Sequence, residues 1–274
     1  MSTSPKQIAT ENEQIAALGT YRAADGTPVD ISAALAEARS WTVCHEPGDD
    51  INTPVSGPFT GRLEVTGEGS VQAARRLHRE GGKRLAVLNF ASARNPGGGY
   101  LRGARAQEED LCRSALLYRC LLETPRYYEA HRASEDLRYS HRVIFSPEVP
   151  VIRDDAGALD AHPFTTSFLT SPAPNAGALA DRSGHPVEVR DILAERAARV
   201  LAVAAHHGVR ELVLGAWGCG VFRNDPNEVA EAFDLGLRAH GATFERVVFA
   251  VWDNSPISAN RAAFESRFGS AAWF

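Results

Sequence analysis

Apolar and polar positions follow two periods along this chain, and the switches between them mark its elements. Residues 4–18 (SPKQIATENEQIAAL) carry helical spacing and stop at Gly19. Residues 30–39 (DISAALAEAR) predict a second helix with Asp30 as its N-cap. Residues 45–61 are punctuated by Gly and Pro and read as a loop, so the core is expected to begin near residue 60. From there the two periods alternate. A strand at 62–66 is followed by a helix at 70–79, which closes on Gly81–Gly82. RLAVLNF (84–90) is a nearly continuous apolar run, the mark of a buried strand. A glycine loop leads into a helix over 107–122. Strand candidates at 141–145 and 165–169 are separated by a stretch bearing Pro and Asp, read as a loop. A long helix at 187–207, a buried strand at 211–214, a helix at 227–239, a strand at 246–252 and a helix at 258–268 complete the pattern.

This alternation predicts an α/β fold with a mostly parallel or mixed sheet covered on both faces. In such sheets ligands bind beyond the carboxyl ends of the strands. Two glycine clusters each follow a predicted buried strand, so both fall at one rim.

Composition narrows the function. The 274 residues, 44% hydrophobic and 23% charged, fit one large α/β domain or two small ones. A net charge of −5 argues against a protein that coats nucleic acid by neutralising phosphates, and no direct nucleic-acid binding is expected. The four cysteines, Cys44, Cys112, Cys120 and Cys219, form no CxxC pair and read as reduced thiols in a cytosolic protein. The first residues lack a signal-peptide pattern, and no apolar run is long enough to span a bilayer, so a cytoplasmic protein without membrane contact is expected. Neither HExxH nor a His/Cys cluster with ligand spacing occurs, and neighbouring His206–His207 seldom share a metal. No catalytic metal and no cofactor are expected. No GxSxG elbow is present, which sets aside an α/β-hydrolase triad. Asp154–Asp155 reads as a solvated loop.

The first cluster lies in NFASARNPGGGYLRGARAQEEDLCRSALLY, residues 89–118. Asn95–Pro96 starts a turn, and Gly97, Gly98 and Gly99 let a ligand approach the main chain. Seven residues later Gln107, Glu108, Glu109 and Asp110 open a helix. Acidic residues are ordinary at a helix start because they complement the macrodipole. Joined to a polyglycine loop after a buried strand, they become unusual. Adjacent helical residues point about 100° apart. One glutamate at most therefore faces a scissile bond, and the other is free to hold a neighbouring hydroxyl.

The second cluster is ELVLGAWGCGVFRNDP, residues 211–226. Glycines at 215, 218 and 220 follow a buried strand, and a helix starts near Asp225–Pro226. Successive amides in such a loop form an anion-binding concavity, helped by a helix N-terminus. The spacing is neither a Rossmann fingerprint nor a Walker A loop. Phe222 alone would read as core, Arg223 is a candidate phosphate contact, and Cys219 reads as a small residue that fits.

Gly97-Gly98-Gly99 followed by Gln107-Glu108-Glu109 resembles the signature of poly(ADP-ribose) glycohydrolases, and VLNFASARNPGGG is similar to the bacterial-type branch. GAWGCGVF resembles the diphosphate loop of the same family. The likeness covers about residues 60–270 and leaves the first 60 unexplained. It implies a macrodomain-like three-layer α/β/α fold with a mixed central sheet, in which residues 1–60 form an N-terminal helical extension packed on a catalytic domain at 61–274. It implies Glu109 as the catalytic carboxylate and Glu108 as the second catalytic-site glutamate, holding the substrate ribose. Gln107, Asn95 and Gly97 to Gly99 are implied around the sugar, and Gly218, Cys219, Gly220, Val221 and Phe222 around the diphosphate and distal ribose. SPAPNAG (171–177) and VWDNS (251–255) are expected to line the same rim, without assigned roles.

The implied activity is hydrolysis of ribose–ribose O-glycosidic bonds with release of ADP-ribose. Such cleavage needs protonation of the leaving oxygen and support for an oxocarbenium-like transition state. The implied partners are poly(ADP-ribose), ADP-ribose and ADP-ribosylated proteins, and the implied setting is the DNA-damage response. Three other readings stay open: a macrodomain that binds ADP-ribose without cleaving it, an enzyme that removes single ADP-ribose units from proteins, and an unrelated nucleotide-binding α/β protein.

Overall fold

The structure, a computed structural model, describes residues 3–53, 56–253, 255 and 257–269. Pro54 and Val55 of the predicted 45–61 loop, and Asn254 of VWDNS, lie outside the described residues. The chain opens with α1 (Pro5–Leu18), β1 (Thr20–Arg22), β2 (Pro28–Asp30), α2 (Ser32–Ser40) and β3 (Val43–His45). It continues with β4 (Arg62–Thr66), α3 (Ser70–Arg79), β5 (Leu85–Phe90), α4 (Gln107–Ser114), α5 (Leu117–Leu121) and α6 (Pro125–Arg132). Then come β6 (Val143–Arg153), β7 (Leu159–Ser171), α7 (Ala176–Ser183), α8 (Arg190–His206), β8 (Glu211–Leu214), α9 (Pro226–His240), β9 (Arg246–Ala250) and α10 (Ala259–Phe268).

Seven strands form one mixed sheet in the order β3-β6-β7-β5-β8-β9-β4. β7, β5, β8, β9 and β4 run parallel to one another, whereas β6 is antiparallel to both β3 and β7. Alternate residues of β5 serve opposite faces, as the two-residue period of a strand requires. Leu85 and Val87 join α1 to α6 on one side, and Ala86 and Leu88 join α8, α9 and α10 on the other. β5 and β8 are adjacent and parallel, so the loops that leave them emerge from the same edge.

Four local expectations need correction. Asp30 does not cap α2: it ends β2 and its carboxylate accepts from the Ser32 amide at 2.8 Å, while Ile31 occupies the cap position. The helix expected over 107–122 is two helices. Ala115 is extended (φ −123°, ψ 163°) and bridges Val151, and the Leu116 amide donates to Pro150 O at 3.0 Å. The loop expected between 145 and 165 is the body of the β6–β7 hairpin. Pro147 and Pro150 are tolerated there because β3 pairs only with residues 143–145, leaving the rest of β6 largely without a strand on that side. The register shift between Ser146 and Val149 absorbs Pro147 and the left-handed Glu148. Asp155 is not simply solvated but pairs with buried Arg75 at 3.2 Å.

The N-terminal segment is tied to the sheet and to the glycine loop. β3 belongs to the seven-stranded sheet. Asn12 of α1, fully buried, donates to the carbonyls of Arg113 at 2.8 Å and Cys112 at 3.3 Å. Its oxygen accepts from Arg153 Nη2 at 2.8 Å. Tyr100, just beyond the three glycines, donates its hydroxyl to Ala9 O at 3.3 Å. Residues before 60 thus buttress α4 and the loop that precedes it.

Candidate active site

Gln107, Glu108 and Glu109 form the first turn of α4, and their side chains diverge onto three different sets of partners. Gln107 turns back onto β5. The Phe90 amide donates to its Oε1 at 2.8 Å, and its Nε2 donates to Leu88 O at 2.8 Å and to Ser70 Oγ at 3.1 Å. Both amide protons are therefore spent on the protein, and Gln107 fastens the helix start to the strand end.

Glu108 is buried. Its Oε2 accepts from the Ser92 amide at 2.7 Å, and its Oε1 accepts from Asn89 Nδ2 at 3.2 Å. Asn89 Nδ2 also donates to Thr170 Oγ1 at 3.2 Å, which ties the glutamate to the end of β7. Burial pushes the Glu108 carboxyl up from the ordinary 4.5 to about 8. The Ser92 and Asn89 hydrogen bonds oppose this, and the charge of Glu109 adds to it.

Glu109, also buried, accepts from the Gly99 amide at 2.7 Å through Oε1 and from the Ala106 amide at 3.0 Å through Oε2. The glycine loop closes over both acids. A Cβ built on Gly98 would lie 2.4 Å from Glu109 Oε1 and 3.0 Å from Glu108 Oε2, and the residue sits at φ 58°. Only glycine fits there. Gly97 is buried against Tyr118 and Cys112, and Asn95 is exposed, closing the turn with its carbonyl on the Gly98 amide at 2.9 Å.

The second loop leaves β8 at Gly215. The amides of Trp217, Cys219 and Arg223 are spent on turns within it. Those of Gly218, Gly220, Val221 and Phe222 have no hydrogen-bond partner among the described residues. Gly218 is left-handed at φ 75°, and a Cβ there would lie 2.4 Å from both Ala173 Cβ and Asn224 Nδ2. Gly220 and Val221 form the exposed tip, Val221 at 83% exposure. Phe222 is half-buried against Tyr139, ring centroids 6.0 Å apart. Cys219 is half-buried, and burial pushes its thiol up to about 12, which removes it as a nucleophile near neutral pH. Arg223 pairs with Asp181. The start of α9 is capped by Asp225, whose carboxylate accepts from the Asn227 amide at 2.7 Å, so the unengaged donors belong to the loop rather than the helix.

One carbonyl joins the two loops. Ser171 O, at the end of β7, accepts from Trp217 Nε1 at 3.0 Å and from the Ala91 amide at 3.3 Å. Asn224 Nδ2 donates to Pro174 O at 2.9 Å, and the Gly177 amide donates to Phe222 O at 2.8 Å. SPAPNAG is thus the frame on which the second loop is laced. Sequence reasoning gave it no role and missed Asn89, Ser92 and Thr170 as well. Asn89 did carry a signal, as the one polar residue inside the apolar run of β5.

Among the described residues no group of three or more His, Cys, Asp or Glu side chains is placed to hold a metal ion. His45, His206 and His207 pack edge to face, and His207 stacks on Phe145 at 3.8 Å. No helix among the described residues is long and apolar enough to cross a membrane.

A mixed sheet flanked by helices, with a glycine loop over two buried carboxylates beside a loop of unengaged amides, defines a macrodomain-like α/β protein. The family described as microbial-type PARG, catalytic domain, matches residues 9–154, which takes in both glutamates and most of the segment left unexplained by sequence reasoning. The chain is similar to the poly(ADP-ribose) glycohydrolase of Thermomonospora curvata bound to the inhibitor ADP-HPD, at 46% identity and a TM-score of 0.86, covering 96% of this chain and 99% of that one. It is also similar to that of Deinococcus radiodurans in complex with ADP-ribose, at 46% identity and a TM-score of 0.79, covering 86% of this chain and 97% of that one. No curated protein sequence matches. The chain belongs to the microbial-type poly(ADP-ribose) glycohydrolase family.

Proposed function

We propose that this protein is a poly(ADP-ribose) glycohydrolase that hydrolyses ribose–ribose O-glycosidic bonds and releases ADP-ribose. One observation carries the reading: two buried carboxylates, held by main-chain amides, share a sheet edge with a loop whose Gly218, Gly220, Val221 and Phe222 amides are unengaged among the described residues. A glycosidase needs the first and a diphosphate the second.

Glu109 acts as general acid toward the leaving 2′ oxygen and then as general base for the incoming water. The Gly99 and Ala106 amides fix its orientation. Glu108, its pKa pushed up to about 8, carries a proton at neutral pH and holds the ribose as a neutral carboxyl. Gln107 serves the site from behind by fastening α4 to β5. Asn95 and the three glycines bring the main chain up to the sugar. Gly218, Cys219, Gly220 and Val221 cradle the diphosphate, and Phe222 packs on the distal ribose. ADP-ribosylated proteins carry the substrate, and the setting is the DNA-damage response in a cytoplasmic protein.

The test is Glu109→Gln, incubated with defined poly(ADP-ribose). Release of ADP-ribose is expected to disappear while ADP-ribose binding persists. Turnover near the wild-type rate would remove Glu109 from its role. A wild-type protein that binds ADP-ribose but releases none from the polymer would be a binding domain. One that acts only on mono-modified protein would be the third reading.

A further inference from the structure

Arg196 lies on the inner face of α8 with no solvent exposure. Leu193, Ala197 and Val200 surround it on that apolar stripe, where a charged residue is costly. Its guanidinium meets only carbonyl oxygens. Nη1 donates to Pro172 O at 2.8 Å, and Nη2 to Arg138 O at 2.7 Å and Tyr139 O at 3.2 Å. Nε is buried without a hydrogen-bond partner. Among the described residues no carboxylate forms an ion pair with it, and burial draws its pKa down to about 10 against the more distant pull of Tyr127, Glu195 and Asp136. A buried cation held by neutral acceptors alone retains its charge at a desolvation cost that a hydrophobic residue would not incur.

The three carbonyls lie under the second loop. Pro172 adjoins Ser171, whose carbonyl takes the Trp217 indole. The Asn175 amide donates to Leu137 O at 2.9 Å, joining the same two segments a second time. Tyr139 is held left-handed at φ 59°, an unfavourable conformation for a bulky residue, with its ring against Phe222.

We propose that Arg196 is a positioning residue for the diphosphate: it clamps segments 138–139 and 172 beneath loop 215–222, and its charge awaits the anionic ligand. This rests on the reading of that loop as the diphosphate cradle. The residue acts through the loop and has no part in bond cleavage, because the partners that orient Glu109 come from Gly99 and Ala106.

The experiment compares the wild type with Arg196→Lys and Arg196→Met in two readouts, Kd for ADP-ribose and steady-state turnover of poly(ADP-ribose). Lysine keeps the charge and loses the fork, and Kd and KM should rise about threefold; methionine loses both, and they should rise about tenfold or more. In both variants kcat should stay within about threefold of the wild type. A fall in kcat at unchanged KM, or an unchanged Kd in Arg196→Lys, would overturn the proposal. Should the methionine variant not fold, the lysine variant decides alone. A wild type that binds ADP-ribose yet leaves the polymer intact sinks the glycohydrolase reading while the Kd comparison still stands. A wild type that fails to bind ADP-ribose overturns both.

Discussion

Replacing Glu108 by glutamine should change how stability depends on pH, in a direction opposite to that of most carboxylates. In the folded protein burial lifts this group from 4.5 to about 8, so between those values the native state holds a proton that the unfolded chain has released. Stability falls with rising pH wherever the native state binds more protons. Glu108 therefore favours the fold at low pH and loses that effect as pH rises through its folded value. The gap between 4.5 and about 8, at about 1.4 kcal/mol per pH unit, caps the loss at roughly 5 kcal/mol, of which roughly 3–4 kcal/mol falls between about pH 5 and pH 8. Glutamine keeps the shape and the neutral charge of the protonated acid and does not titrate. Urea unfolding of Glu108→Gln and wild type at pH 5, 6, 7 and 8 measures the difference directly. The variant should gain on the wild type steadily as pH rises. A difference that stays flat within about 1 kcal/mol over this range, or that shrinks with pH, would refute the reasoning and place Glu108 in a far more polar setting than its partners imply.

Two further substitutions probe the frame. Gly98→Ala drives a methyl group into Glu109 Oε1, 2.4 Å away, at a residue with φ 58°. The backbone cost is about 1–2 kcal/mol, but displacing the carboxylate proposed as general acid should lower kcat by about a hundredfold or more. A variant with near wild-type kcat in a polymer-hydrolysis assay would show that Glu109 tolerates displacement. Arg75→Met removes a buried guanidinium that reaches Asp160 at 2.9 Å, Asp155 at 3.2 Å and the Arg153 carbonyl. Leaving these acceptors unpaired should cost about 3 kcal/mol in urea unfolding, and a loss below about 1 kcal/mol would mean that the network contributes little.

Much of the α/β core was legible because its cause is local. The strands at 62–66 and 211–214 and the helix at 70–79 stand where the apolar periods place them, since each buries a face fixed by its own residues. Elements whose cause is distant were not legible. Ala115 is a good helix former and gives no warning that the chain there must pair with Val151. Pro147 and Pro150 read as breakers, and only the shortness of β3 explains why a strand accepts them. The β1–β2 hairpin was missed because its strands hold three residues each, too few to show a period, although Asp25–Gly26 marks the turn.

The site divides the same way. The glutamate pair and both glycine loops announce themselves by spacing and composition. Ser92, Ser171 and Ala106 contribute through main-chain groups, for which no residue type codes. Asn89 and Arg196 stand between these extremes, since each interrupts an otherwise apolar face, of β5 and of α8. A polar residue in such a place needs partners, and here the partners belong to the frame of the two loops.

Charge explains why those interruptions matter. The chain carries a net charge of −5 and sets two buried glutamates at the sheet edge that also carries the proposed diphosphate loop. Two ionised carboxylates there would repel the ligand, most strongly where burial reduces screening. Three features of the fold offset that repulsion. Burial keeps Glu108 protonated near neutral pH, which removes one negative charge from the pair. Loop 215–222 offers unengaged amides in place of lysines, and Arg223, the nearest exposed candidate in sequence, is instead committed to Asp181. Arg196 adds a positive charge from below with no solvent around it. The buried carboxyl and the buried guanidinium both depend on exclusion of water, so a substitution that admits water beneath the second loop should weaken the hold on an anion even where every loop residue is intact.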